Sequence, residues 1–177
     1  MNRGAPRDLV GERARESGTP LGASVALGAD HGGFELKERL RRYVEEELRL
    51  SVADCGAFSK DAVDYPDIAA EVARRVARGE CARGIVIDGA GIGSSMAANK
   101  IPGVRAALCH DDRTVLNSRE HNDANVLCLG SVGLAPGNAR RLVRLWLGTP
   151  FAGGRHQRRV DLVDALDEDK GGGGIHP

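Results

Sequence analysis

The fold is decided by the stretch Gly84-Ile-Val-Ile-Asp-Gly-Ala-Gly-Ile-Gly-Ser-Ser-Met-Ala-Ala-Asn-Lys100. An apolar run is followed by three closely spaced glycines and then by helix-forming residues, which predicts a strand, a tight turn and a helix start. Glycines let a small ligand approach the backbone, and the free N–H groups of a helix N-terminus attract an anion or an oxyanion. Asp88 adds a carboxylate at the carboxyl end of the strand, where open α/β sheets place their chemistry.

The rest of the chain repeats this alternation of strand and helix. Five short apolar runs are strand candidates: residues 24–28, 51–55, 84–87, 104–109 and 125–130. Between the first two runs, residues 34–48 carry apolar side chains at helical spacing. Strands that are apolar throughout are covered on both faces, which requires a parallel sheet with helical crossovers. We therefore expect an α/β fold over residues 24–169, a three-layer αβα sandwich with a Rossmann-like or flavodoxin-like five-stranded parallel sheet.

The composition favours a single globular domain that binds small molecules. The 177 residues are 41% hydrophobic and 28% charged, and the formal net charge is zero, so there is no electrostatic reason to expect nucleic acid or a membrane surface as a partner. No apolar run approaches the ~20 residues of a membrane span, and the first residues lack a hydrophobic signal core. We expect a cytoplasmic protein. The four cysteines are widely spaced, which favours buried, reduced thiols over a zinc site or disulfides.

The two ends differ from the middle in composition. Residues 1–23 contain few large apolar side chains, and residues 170–177 read Lys-Gly-Gly-Gly-Gly-Ile-His-Pro. Both ends are predicted to be flexible and to hold no catalytic groups. A segment of the N-terminal arm that docks on a partner is the alternative interpretation.

Polar side chains follow several of the predicted strands. Asp30 and His31 follow the first, Tyr65 comes after the second, and Asp88 ends the third. Such residues are often only helix caps or solvated neighbours, and the cationic segment at 155–159 has the same ordinary explanation. A dinucleotide fingerprint is a further alternative, but the glycines read G-x-G-x-G and the chain has no second domain to hold a hydride acceptor.

Taken together, the motifs resemble the ribose-5-phosphate isomerase B and galactose-6-phosphate isomerase family. The resemblance runs from about residue 25 to residue 166 and rests on these ordered motifs: Gly28-Ala-Asp-His-Gly-Gly-Phe-Glu-Leu-Lys37, Asp54-Cys-Gly-Ala57, Asp64-Tyr-Pro66, Gly89-Ala-Gly-Ile-Gly93, Ala97-Ala-Asn-Lys100, Arg119-Glu-His-Asn-Asp-Ala-Asn-Val126 and Gly153-Gly-Arg-His-Gln-Arg-Arg-Val160. It implies aldose–ketose interconversion of a phosphorylated sugar, of the ribose 5-phosphate to ribulose 5-phosphate type, without a metal or another cofactor. It also implies a homodimer or homotetramer with active sites shared between subunits.

The resemblance also implies roles for individual residues. His121 is expected to open the sugar ring, with Asp30 near the sugar hydroxyls. Other matching positions are expected to bind substrate. His31, Arg155 and Arg159 would hold the phosphate, Asn122 and the backbone around Gly89, Gly91, Gly93 and Ser94 would hold the enediolate, and Tyr65 would line the sugar pocket.

The chain departs from the family pattern at three positions. Asp88 stands where the family's proton-abstracting cysteine falls, Ala90 replaces a hydroxyl residue, and Val132 replaces an arginine that contacts phosphate. A carboxylate can remove a proton next to a carbonyl, and desolvation would raise its basicity. Asp88 is thus the expected base. The alternatives are a diverged or partner-completed subunit that binds sugar phosphate without independent activity and, from another class, a nucleotide-binding regulatory module.

Overall fold

The computed structural model describes residues 24–169, which form a five-stranded parallel sheet covered by helices on both faces. The strands are β1 (Ser24–Ala29), β2 (Val52–Asp54), β3 (Cys81–Asp88), β4 (Ala106–Leu108) and β5 (Val126–Gly130). The predicted α/β class and parallel sheet are confirmed. The two ends that were predicted to be flexible, residues 1–23 and 170–177, lie outside the described residues.

The helices follow the strands in alternation. They are α1 (Phe34–Arg42), α2 (Tyr65–Ala77), α3 (Ile92–Ala98), α4 (Asp112–Glu120), α5 (Pro136–Gly148) and α6 (Gln157–Asp169). The predicted helix at 34–48 is formed by α1 and a π-helical continuation, Tyr43–Glu47. None of the helices in residues 24–169 is long and apolar enough to cross a membrane.

The order of strands across the sheet is β2-β1-β3-β5-β4. The chain therefore reverses direction across the sheet between β1 and β3, and ligands of open α/β sheets bind at such a switch point. Ala29 pairs with Ile87 and Asp88 pairs with Gly130, so the carboxyl ends of the three central strands lie side by side.

Two apolar layers hold the sheet between the helices. One combines alternate residues of the central strands with α1, α4 and α5 and contains the fully buried Trp146. The other combines the remaining strand positions with α2 and α3, where Val72 and Ala98 are buried. The four cysteines are buried free thiols, as the sequence predicted. Helix α6 lies apart from both layers.

Candidate active site

The carboxyl ends of the central strands bring one group of candidate residues together. Asp30 follows β1 directly and its amide donates to Ile87 O of β3 at 3.1 Å. Tyr65, at the start of α2, lies against Gly93: a Cβ built on that glycine would sit 2.5 Å from Cζ of the tyrosine ring. We call Asp30, His31, Tyr65 and the turn 88–94 the carboxyl-edge cluster.

Asp88 is the hub of this cluster. It is only 5% exposed, and among the described residues it is the only buried carboxylate. Its Oδ1 accepts from the amides of Ala90, at 2.8 Å, and Gly91. Its Oδ2 accepts from the amide and the hydroxyl of Ser94, at 2.9 and 2.6 Å. Both carboxylate oxygens are thus saturated, since each accepts two hydrogen bonds.

This saturation sets the acid–base character of Asp88. Burial raises its pKa, but the hydrogen bonds from the Ser94 hydroxyl and from three backbone amides outweigh burial and lower the pKa below its ordinary value. The carboxylate is therefore ionised at neutral pH and is a weak base in this arrangement. The expected rise in basicity from desolvation is opposed by the turn itself.

The same bonds occupy part of the proposed anion cradle. Three of the amides in the turn, those of residues 90, 91 and 94, donate to Asp88. The amides of Ile92 and Gly93 begin α3 and have no acceptor within the helix, because first-turn N–H groups lack one. These two groups are the donors that the turn offers to a substrate oxygen.

The three glycines of the turn differ in how much space a side chain would have. Gly91 has φ +76°, and a Cβ at this position would lie 2.5 Å from Leu108 Cδ1 and 2.9 Å from the backbone carbon of Leu129. Gly93 makes room for Tyr65. A Cβ on Gly89 would meet nothing within 4 Å. Gly91 and Gly93 are therefore required by packing, whereas Gly89 faces open space.

The loop after β1 lines the other side of the cluster. Asp30 Oδ1 accepts from the amide of Gly33 at 2.9 Å and so closes a turn before α1, rather than capping the first turn of the helix itself. His31 is exposed, with Nδ1 3.5 Å from the amide of Val63. Ser131 Oγ donates to Gly32 O at 3.1 Å and links this loop to the end of β5.

A second group of candidates gathers elsewhere, around the end of α4 and the start of α6. The rings of His121 and His156 are stacked, with centroids 4.1 Å apart and planes 8° from parallel. Asn117 Nδ2 and His121 Nδ1 are 2.9 Å apart, and the amide group of Asn122 donates to the same Asn117. We call His121, Asn122, Arg155, His156 and Arg159 the amino-edge cluster.

Sequence reasoning missed His156, although it lies between two arginines that were assigned to phosphate. Desolvation and the neighbouring His121, Arg155 and Arg159 lower the pKa of His156 below its ordinary value, which keeps it neutral at pH 7. Arg155 and Arg159 are exposed, and Nη1 of Arg159 lies 3.5 Å from the carbonyl of Arg155. The cluster therefore offers two solvent-facing cations beside a pair of imidazoles.

The two clusters lie at opposite edges of the sheet. Helix α4 begins beyond the carboxyl end of β4 and runs back toward the amino end of the sheet. His121, the residue after this helix, therefore lies near the start of β4. Arg105, the residue before β4, confirms this position because its Nε donates to Asn122 O at 3.2 Å. Nine helical residues span about 13 Å at 1.5 Å per residue. One chain alone therefore does not bring His121 to Asp88.

Two cavities border the clusters. The larger, of about 750 Å³, runs along the outer side of β4 and includes Asn122 and Arg159 among its lining residues. A smaller one of about 280 Å³ lies between the 88–94 turn and the end of β5, where Ala90 and Val132 form part of its wall. The two positions where the family pattern loses a hydroxyl and an arginine thus face one mainly apolar space.

A dinucleotide fingerprint also calls for an acidic residue about twenty positions after the glycines to bind the ribose, and Asp111 and Asp112 stand there. Asp111 caps α4 by accepting from the amide of Thr114 at 2.7 Å, and the Thr114 hydroxyl completes the capping box. Asp112 pairs with Arg141. Both carboxylates therefore have structural partners, and the dinucleotide interpretation loses its acidic residue.

Comparison with known sequences places the chain beside sugar-phosphate isomerases. Residues 25–163 match the family model described as Ribose/Galactose Isomerase. A putative sugar phosphate isomerase of Bacillus subtilis is 43% identical over 145 residues, which are 81% of this chain and 97% of the relative. Ribose-5-phosphate isomerase B of Escherichia coli is 42% identical over 144 residues, which are 81% of this chain and 96% of that enzyme.

Solved structures agree with the sequence comparison. The type B ribose 5-phosphate isomerase of Trypanosoma brucei superposes with a TM-score of 0.79 at 47% identity, covering 82% of this chain and 99% of that one. Ribose-5-phosphate isomerase B of Clostridium thermocellum gives a TM-score of 0.81 at 42% identity, covering 83% and 99%.

Proposed function

Because this chain belongs to the ribose/galactose isomerase family, we propose that it interconverts an aldose phosphate and its ketose, of the ribose 5-phosphate to ribulose 5-phosphate type. The match of residues 25–163 to the family model confirms the family that was predicted from the motifs. The observation that carries the proposal is the position of Asp88, a buried carboxylate at the β1–β3 switch point inside a turn of amide donors. Relatives named as ribose-5-phosphate isomerase B supply the substrate class.

The reaction proceeds through an enediolate. Asp88 removes the proton from C2 of the open-chain aldose, the hydroxyl proton of O2 moves to O1, and the proton taken from C2, or one from solvent, is returned to C1. The saturated carboxylate needs a free lone pair for this step. The Ser94 hydroxyl can rotate away from Oδ2 without any backbone movement, whereas the three amide donors are fixed by the turn. In that rotated state the hydroxyl can donate to a substrate oxygen instead.

Other residues of the two clusters complete the reaction. His121 opens the cyclic sugar, with Asp30 near its hydroxyls. Asn122 and the backbone amides at the start of α3 hold the enediolate, and oriented donors of this kind stabilise developing charge. The phosphate is bound by His31, Arg155 and Arg159, and arginine suits it because its planar fork donates two hydrogen bonds. Tyr65 lines the sugar pocket.

The complete site needs a second copy of the chain. The carboxyl-edge cluster of one subunit meets the amino-edge cluster of another, in a homodimer or homotetramer. The opposite positions of the clusters support this arrangement, since no single chain joins them. Apolar side chains are also left exposed on helices next to each cluster: Ile92 and Met96 on α3, and Leu162, Val163 and Leu166 on α6. A second subunit that covered them would gain hydrophobic stabilisation.

Turnover of ribose 5-phosphate by protein treated with a chelator tests the proposed activity. We expect ribulose 5-phosphate to form without added metal or cofactor. Saturable binding of ribose 5-phosphate without turnover would contradict independent activity. It would favour the partner-completed subunit. The four hydrogen bonds that Asp88 accepts support that interpretation, because they leave its carboxylate a weak base. Tight binding of a nucleotide, with none of a sugar phosphate, would favour the regulatory module.

A further inference from the structure

Two arginines donate hydrogen bonds to residues 122–124, the loop that follows His121. Asp123 has φ +45°, a left-handed conformation that costs free energy in a residue with a side chain. Arg119, which is buried, donates from Nη1 to Asp123 Oδ1 and to Ala124 O, each at 2.7 Å. Arg105 donates from Nη2 to Asp123 Oδ2 at 3.1 Å. The conformation of residues 122–124 is thus fixed from two sides.

Arg105 also reaches α6, the helix that carries Arg159 and directly follows Arg155 and His156. Its Nη1 donates to both carboxylate oxygens of Asp164 on α6, at 2.7 and 3.0 Å. Its Nε and Nη2 bond to the carbonyls of Asn122 and Asp123, at distances between 3.0 and 3.2 Å. One guanidinium group therefore joins the loop after His121 to the helix after His156.

Helix α6 depends on this connection because it buries little of itself. Of its side chains whose exposure is described, only Val160 is buried, and Leu162, Val163 and Leu166 are each more than half exposed. A second polar contact, from the amide of Gly103 to Asp167 Oδ2 at 2.8 Å, lies further along the same helix. The direction of α6 within a subunit is therefore set largely by polar anchors, and Arg105 makes the one that contacts both carboxylate oxygens of Asp164.

We propose that Arg105 is a positioning residue, which holds α6 so that His156 stacks on His121 and Arg155 and Arg159 face the substrate. The effect on turnover rests on the proposed function, whereas the effect on the stacked histidines does not. Its guanidinium uses one side for the loop carbonyls and the other for Asp164, and lysine has no such fork. Reacting groups that are misplaced by ~1 Å can lose on the order of 10²-fold in rate.

Two substitutions test the anchor, and one serves as a matched control. Arg105→Lys keeps the charge and removes the fork, while Asp164→Asn removes the charge of Asp164, whose side chain is 44% exposed. Asp112→Asn breaks the ion pair with Arg141, which is on the surface and does not involve α6. All three are made in the full chain.

The first measurement is the NMR signals of the His121 and His156 rings, without substrate, assigned with single His→Gln variants. Stacked rings shift each other's signals upfield. We expect Arg105→Lys and Asp164→Asn to move both signals toward unstacked values and Asp112→Asn to leave them in place. The second is kcat/KM against pH, where Arg105→Lys should lose about tenfold or more, with most of the loss in kcat and a changed profile.

A merely structural role gives a different result. Suppose that Arg105→Lys and Asp164→Asn lower the melting temperature but leave the ring signals in place and kcat/KM within about twofold of the unmodified chain. That result overturns the proposal. The ring signals decide the positioning role even if the chain turns over no sugar phosphate. Failure of the proposed function and failure of this inference are therefore read separately.

Discussion

At the residue scale, the Asp88 carboxylate is both a helix-start acceptor and the expected base, and substitutions at this position separate the two roles. Asn replaces one acceptor oxygen with a donor and cannot act as a base at neutral pH. Cys removes both carboxylate oxygens, but at a helix N-terminus the pKa of its thiol is lowered and the resulting thiolate can accept a proton. Asn keeps one oxygen that can accept from the turn and Cys keeps neither, so Cys loses more of the cap, yet only Cys retains a base.

We expect Asp88→Asn to lower proton exchange at C2 of the sugar phosphate by ~10²-fold or more, and Asp88→Cys to keep at least ~10-fold more exchange than Asp88→Asn. Exchange is measured in deuterated water well below each variant's melting temperature. Equal residual exchange in the two variants would place the base elsewhere.

Ser94 tests the hydrogen bonds that lower the pKa of Asp88. Because the folded pKa lies below the unfolded value of ~3.9, Asp88 stabilises the fold above that pH and loses the contribution as pH falls through the folded pKa. Ser94→Ala removes the 2.6 Å bond and should cost about 1.5–3 kcal/mol of unfolding free energy at neutral pH. The cost should shrink below about pH 4.

The matched control is Ser95→Ala, whose hydroxyl donates to the carbonyl of Ile92 in the same helix. Urea unfolding at pH 7 and at acid pH measures both variants. Since no titrating group is involved at Ser95, its cost should be small and independent of pH. A pH-independent cost for Ser94→Ala as well would show that its hydroxyl does not act through Asp88.

At the scale of elements, the glycines of the strand-turn-helix unit divide into packing and ligand positions. Gly91→Ala should destabilise the fold by about 2 kcal/mol or more. The backbone at this position has a positive φ, which disfavours a residue with a Cβ, and the added Cβ would meet the backbone of β5. Gly89→Ala should change stability by no more than about 0.5 kcal/mol, since its Cβ meets open space. Calorimetry on both variants checks the difference, and a loss at Gly89 equal to that at Gly91 would contradict it.

The elements themselves were predictable from the sequence, because short apolar runs that alternate with segments of helical period favour buried parallel strands. Their order was not. The position of β5 between β3 and β4 depends on how α4 packs after a strand of three residues, and no local pattern encodes that packing. The placement of His121 was partly accessible, since a helix that follows a parallel strand must return to the amino edge. The stack on His156, which joins residues 35 positions apart, was not.

The hydrogen bonds of Asp88 show the same limit within a single motif. An aspartate before a glycine turn predicts a capping acceptor, and the amides of residues 90 and 91 bear this out. That the Ser94 hydroxyl and amide fill the second oxygen depends on the exact path of the turn into α3. The sequence therefore indicated the carboxylate but not the lowering of its pKa.

At the scale of the whole molecule, the proposed active site is assembled from two copies of the chain. The carboxyl-edge and amino-edge clusters are held by different ends of the same sheet, and each is already ordered by its own contacts. Assembly then needs only that two surfaces meet, which a symmetric dimer provides twice over. Each dimer should hold two equivalent sites.

Complementation between two inactive variants tests this claim most directly. Asp88→Asn disables the carboxyl-edge cluster and Arg159→Ala the amino-edge cluster, so each protein alone should be nearly inactive. After equal amounts exchange subunits at random, half of the dimers are mixed and each mixed dimer has one site with no substitution, so about a quarter of the activity of the unmodified protein should return. No recovery, with exchange verified by mass spectrometry of the intact dimers, would contradict a site shared between two chains.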